Sequence, residues 1–161
     1  MKKHFFYSIL SLLFISIIIS CDAPKQEEVP KKNTYVQDNF TKKEVTIEMR
    51  DGIKLHTVIY APKDQSKTYP ILLQRTPYSC APYGEGKYKT RIGPNSQLMR
   101  EGNIVVYQDV RGRWMSEGVY DNMRAYIPNK TANQADETTD TYDTIDWLVN
   151  NVANNNGSVG P

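Results

Sequence analysis

Between Glu44 and Ile59 the chain alternates apolar and polar residues. Val45, Ile47 and Met49 are interleaved with Glu44, Thr46, Glu48 and Arg50, and Ile53, Leu55, Thr57 and Ile59 continue the apolar face after Asp51-Gly52. A period of two puts alternate side chains on opposite faces of an extended backbone, so the pattern predicts two half-buried strands in a hairpin. Asp-Gly suits the two φ > 0 positions of a type I′ turn. Lys54 and His56 fall on the other face of the return strand, which makes His56 a surface residue. Pro70–Gln74 and Ile104–Gln108 are short and nearly all apolar, as expected of strands covered on both sides. Gln97–Glu101 reads as the end of a short helix closed by Gly102. From Asp136 to about Val152, Ile145, Leu148, Val149 and Val152 share one helical face. Asp136, Asp140, Asp143 and Asp146 read as a solvated face that also places negative charge near the helix N-terminus, rather than as a metal site. Ser158–Pro161 looks like the first residues of a fifth strand. A hairpin followed by buried strands alternating with helices implies an α/β fold whose sheet becomes parallel.

The first residues follow a different pattern. Lys2 and Lys3 precede a fifteen-residue apolar stretch, Phe5 to Ile19, interrupted only by Ser8, Ser11 and Ser16. That is shorter than the roughly 20 residues a helix needs to span a bilayer and fits the core of a secretory signal. The stretch closes on Ile18-Ile19-Ser20-Cys21, similar to a bacterial lipobox, which implies removal of residues 1–20 and lipid on Cys21. An ordinary secretory signal with an incidental Cys21 is the alternative. Residues 21–41, rich in Lys, Glu, Gln, Asn and Pro, read as a lipidated tether, leaving 42–161 as the folded domain.

Loss of the signal changes the charge. The whole chain carries 20 basic and 18 acidic residues, and removal of Lys2 and Lys3 leaves 18 of each. No basic surface remains to argue for nucleic acid. Cys80 is the only thiol besides Cys21, so neither a disulfide framework nor a multi-cysteine metal site is available. In a parallel sheet, chemistry gathers at the carboxyl ends of strands. Two such ends are present: Arg75-Thr76-Pro77-Tyr78 after the third strand and Asp109-Val110-Arg111-Gly112-Arg113-Trp114 after the fourth.

These two runs, with Ser116-Glu117-Gly118 and the stretch Asp136 to Leu148, resemble the peptidase S15 superfamily of α/β-hydrolases in order and spacing. That group contains Xaa-Pro dipeptidyl-peptidases, cocaine-esterase-like hydrolases and α-amino-acid ester hydrolases and acylases. The resemblance implies a serine hydrolase with chain order Ser, Asp, His, acting without a metal or other cofactor. Its nucleophile motif would follow Asn156–Gly160, so the triad is expected beyond Pro161, with the sheet cut before the nucleophile elbow. Ser158 precedes a strand instead of following one and is not the nucleophile. By the same resemblance, the Tyr78 hydroxyl is an oxyanion donor, and Pro77 helps to aim it. Asp109 and Arg111 read as a bonded structural loop, Cys80 as a buried bystander, and Trp114 either lines the acyl pocket or covers the loop. The expected function is therefore a lipid-anchored, cell-envelope hydrolase of ester or amide acyl bonds. Its substrates would be small amino-acyl esters or amides, or N-terminal dipeptides. The rival is a surface-anchored binding or structural lipoprotein without catalysis.

Overall fold

The alternating segment folds as the expected hairpin. In the computed structural model, which describes residues 33–161, β1 (Phe40–Glu48) runs antiparallel to β2 (Lys54–Pro62), with Val45 opposite Thr57 and Ile47 opposite Leu55. The turn differs from the type I′ expectation. Gly52 has φ 86°, but Asp51 is not in the left-handed region. The Gly52 N–H donates to the Met49 carbonyl and the Met49 N–H to the Ile53 carbonyl, both at 2.8 Å. Because Met49 is buried and bonds to Ile53, three residues close the loop, and a single left-handed glycine ends it.

Three further strands, β3 (Tyr69–Thr76), β4 (Ile104–Asp109) and β5 (Asn155–Gly160), complete a sheet of order β1-β2-β4-β3-β5. β4 sits at the centre, antiparallel to β2 and parallel to β3, and all six of its residues are buried. β5 adds in parallel beyond β3. The sheet is therefore mixed, as a hairpin feeding a parallel sheet requires. Between β3 and β4 lies α2 (Ser96–Glu101), whose first turn is capped by the Asn95 side chain on the Leu98 N–H and whose end is Gly102 at φ 86°.

Hydrophobic packing occurs on both faces. One cluster joins Ile47, Leu55, Ile59, Ile71, Val106 and Leu148, the last from helix α3 (Glu137–Asn151), with Ile145, Trp147 and Val152 packed against it. The other joins Val58, Tyr60, Cys80, Ile92, Met99 and Tyr107 with Val36 and Phe40. Val36 lies in helix α1 (Tyr35–Asn39), so the folded body begins before the expected tether boundary at 41. Two buried anchors four residues apart are too few to show as periodicity in a polar stretch. The expected signal segment, Cys21 and the expected tether up to residue 32 lie outside the described residues.

The second cluster also corrects the reading of His56. It is buried, 7% exposed, and its ring meets Tyr83 edge-on at 5.3 Å between centroids. Alternation tells which residues share a face, but not that residues 80–92 return to cover that face. The acidic residues of α3 are corrected likewise, because only Asp146 is exposed. Asp136 is the N-cap, accepting from the Thr138 and Thr139 amides, and Lys130 at 2.6 Å holds its carboxyl well below the usual carboxylate range. Asp140 pairs with Arg111 and Asp143 with Arg50, each at 2.6 Å. Cations from three separate loops neutralise what looks in sequence like a solvated stripe.

Candidate active site

The parallel register sets Thr76 opposite Asp109, so the two polar runs leave the sheet side by side. They stay joined, because the Val110 N–H donates to the Thr76 carbonyl at 3.2 Å. The Pro77 carbonyl accepts from Trp114 Nε1 at 2.9 Å and Arg113 Nε at 3.2 Å. Trp114 thus braces the loop that carries Tyr78 while the residue stays 59% exposed. A cavity of about 250 Å³ opens alongside, walled by Arg75, Pro77, Arg111, Tyr120, Arg124 and Glu137 among others, and Trp114 is not one of its walls. Arg75 is fixed in place by Gln108 Oε1 at 2.7 Å, Thr141 Oγ1 at 2.7 Å and the Glu137 carboxylate at 2.5 Å.

Tyr78 stands out from this frame, 84% exposed, and its hydroxyl makes no hydrogen bond to a described residue. Three backbone amides around it are engaged. The Tyr78 N–H donates to Thr76 Oγ1 at 3.0 Å, the Cys80 N–H to Asp109 Oδ1 at 2.8 Å, and the Ala81 N–H to Ser79 Oγ at 3.1 Å. The tyrosine hydroxyl is presented to solvent without a partner among the described residues.

Beneath the loop the groups are structural. Arg111 is held between Asp140 and Asp51, with bonds of 2.6 and 2.7 Å, and buried ion pairs of this kind need such full satisfaction. The Cys80 thiol is buried, and that burial, reinforced by the Asp109 carboxylate, pushes its pKa up. It therefore stays protonated and is no nucleophile. Thr76, Ser79 and Tyr83 also belong to the site, although the sequence singles out none of the three. A hydroxyl residue immediately before Pro77, where the chain is biased to be extended, is the signal that could have found Thr76; Ser79 and Tyr83 carry none.

The described residues assemble no Ser-His-acid triad. Their single histidine, His56, is on β2, whereas Ser158 is on β5, with β4 and β3 between. His56 Nε2 has no hydrogen-bond partner, and the nearest carboxylate oxygen, on Glu44, is 3.5 Å away.

Residues 51–161 match the family of X-Pro dipeptidyl-peptidases (S15 family). The chain is similar to the cocaine esterase of Rhodococcus sp. (strain MB1 Bresler), 32% identical over 105 residues that make up 65% of this chain and 16% of the esterase. Among solved structures it is similar to an α-amino acid ester hydrolase, at 38% identity and TM-score 0.65, covering 86% of this chain and 24% of that one. It is similar as well to an aminopeptidase of the marine sediment archaeon Thaumarchaeota archaeon, at 37% identity and TM-score 0.65, covering 86% and 23%. The chain thus spans no more than about a quarter of the length of these relatives.

Proposed function

The chain belongs to the X-Pro dipeptidyl-peptidase (S15) family, and from that premise we propose that it carries the oxyanion-stabilising part of a serine hydrolase that cleaves ester or amide acyl bonds. The observation that carries this reading is the free Tyr78 hydroxyl at the carboxyl end of β3, on a loop whose Tyr78, Cys80 and Ala81 amides are already engaged internally. Acyl transfer passes through a tetrahedral intermediate whose oxyanion needs donors fixed in advance. The Tyr78 amide is taken by Thr76 Oγ1, so at this position the side-chain hydroxyl is the donor left to offer. The α/β-hydrolase sheet supports it, since the chain has a mixed sheet and is similar to a solved ester hydrolase over 86% of its length. The nucleophile, acid and histidine are expected beyond Pro161 in this reading. Small amino-acyl esters or amides and N-terminal dipeptides are the substrates in this reading.

The test uses the full natural polypeptide. It should hydrolyse an aminoacyl nitrophenyl ester and take up one equivalent of a serine-directed phosphonate at a Gly-x-Ser-x-Gly serine. Absence of both turnover and adduct would leave the chain as a non-catalytic lipoprotein.

The cell-envelope location is part of the same proposal and rests on Ile18-Ile19-Ser20-Cys21. Expressed in a bacterial host, the protein should partition into detergent with lipid on Cys21, because each buried CH₂ contributes about 0.8 kcal/mol and more than one chain anchors stably. Cys21→Ser should abolish both the lipid mass and the processing. Recovery of the unsubstituted protein from the soluble periplasm without lipid would sink this location.

A further inference from the structure

Asp109 ends β4 fully buried, yet it forms no ion pair with a described residue. Its charge is met by hydrogen-bond donors alone. Oδ1 accepts from the Cys80 N–H at 2.8 Å, and Oδ2 accepts from the Tyr83 hydroxyl at 2.8 Å and from the Met115 N–H at 3.5 Å. A buried carboxylate is tolerated without a cation only when its lone pairs are filled in this way. The two close donors both belong to the segment that begins at Tyr78.

The direction of these bonds follows from counting protons. Tyr83 has one hydroxyl hydrogen and gives it to Asp109, so in the 2.9 Å contact between Ser79 Oγ and the Tyr83 hydroxyl it is Ser79 that donates. Ser79 Oγ in turn accepts from the Ala81 N–H at 3.1 Å. A one-way chain therefore runs from Ala81 through Ser79 and Tyr83 to the Asp109 carboxylate. Burial, with Asp109 beside it, pushes the Tyr83 hydroxyl up to about 12, so the chain keeps its direction at neutral pH. Ser79, the residue next to Tyr78, has φ 92°, a backbone conformation that L side chains rarely adopt and that persists only when its surroundings enforce it. Asp109 supplies that enforcement from both sides: through Tyr83 to the Ser79 side chain, and directly to the following amide of Cys80.

We infer that Asp109 is the positioning residue of this loop, its buried carboxylate holding Ser79 in the left-handed conformation and thereby aiming the Tyr78 hydroxyl, a role that rests on the oxyanion reading of Tyr78. Asp109 does not act as a triad acid, because both of its oxygens are occupied by fixed donors and no histidine is among them.

The test is a double-mutant cycle on the full natural polypeptide. Asp109→Asn keeps the size of the side chain but offers one acceptor oxygen to two donors and turns an N–H₂ toward one of them. It should lower kcat about 10–100-fold with KM within about threefold, the signature of a misaimed transition-state contact. In a Tyr78→Phe background the same change should move kcat by less than about threefold, since residues acting as a unit are non-additive. Tyr83→Phe, which removes one bond and leaves the ring, is the gentler route should Asp109→Asn fold poorly. Its expected loss of about three- to tenfold should likewise vanish without the Tyr78 hydroxyl. If either variant lowers kcat by the same factor with and without that hydroxyl, or if Asp109→Asn turns over normally, the positioning role is overturned while Tyr78 stands. A Tyr78→Phe enzyme with wild-type kcat would instead remove the oxyanion reading, and the role of Asp109 with it.

Discussion

Tyr78→Phe should lower kcat of the full natural polypeptide by about 10²–10³ while leaving its folding almost untouched, the loss typical of one oxyanion donor. The two halves of that expectation have separate physical sources. The hydroxyl bond to the substrate strengthens only as charge develops on the carbonyl oxygen, so its removal acts on the transition state and not on ground-state binding, and KM should stay nearly constant. The folded protein makes no use of the hydroxyl. Tyr78 is 84% exposed, and the loop is held instead by its backbone amides and by the Trp114 and Arg113 bonds to the Pro77 carbonyl. Deleting an exposed, internally unbonded oxygen should therefore change stability by no more than about 0.5 kcal/mol. A structural tyrosine predicts the reverse, with normal turnover and a lower melting temperature. Steady-state kinetics on an ester whose chemical step limits the rate, paired with a melting curve, separates the two. Turnover within about threefold of wild type would end the oxyanion assignment.

Gly112→Ala should be the most damaging single substitution for the fold in this region, destabilising by about 4 kcal/mol or more, or giving no soluble protein. Gly112 has φ 70°, which a side chain tolerates poorly at about 1–2 kcal/mol. The larger effect is steric. A methyl group there would lie 2.8 Å from Tyr120 Cα and deeper still inside contact with the Tyr120 backbone nitrogen and the Val119 carbonyl carbon. These are main-chain atoms that cannot rotate aside. The strand-end turn is closed by the Gly112 N–H to the Glu117 carbonyl at 2.8 Å, and it carries Arg111, which ties Asp51 and Asp140 together. Forcing residues 119–120 outward would break that ion-paired centre and leave Asp140, 1% exposed, with only the more distant Arg75 at 3.8 Å. Gly52→Ala is the control. Gly52 has φ 86°, but nothing lies within 4 Å of an added methyl, so only the conformational penalty of about 1–2 kcal/mol remains. Equal denaturant midpoints for the two variants would refute the close-approach role of Gly112.

Much of the architecture is legible in the order of the residues. The period-two run at 44–59, the two apolar runs in β3 and β4 and the helical stripe of α3 each encode their own element, because side-chain periodicity is a local property of the backbone conformation. The three polar motifs point to the S15 group, the family matched by residues 51–161. They also single out Tyr78, where the loop leaves β3. The Asp51-Gly52 pair marks the place of the hairpin turn but not its length, since only the burial of Met49 and its bond to Ile53 decide that three residues close it.

What the residues alone determined is therefore most of the elements, the family resemblance and the two polar runs at the carboxyl ends of β3 and β4. What only the tertiary structure decided is which distant residues meet. It showed that β2 lies against β4 and that His56 is covered by residues 80–92. It showed that Asp143 finds Arg50 from 93 positions away and that Asp109 reaches back 29 positions to hold Cys80. A buried charge such as that of Asp109 is stable only through partners brought close by the sheet, and nothing in the local run of side chains around Asp109 specifies those partners.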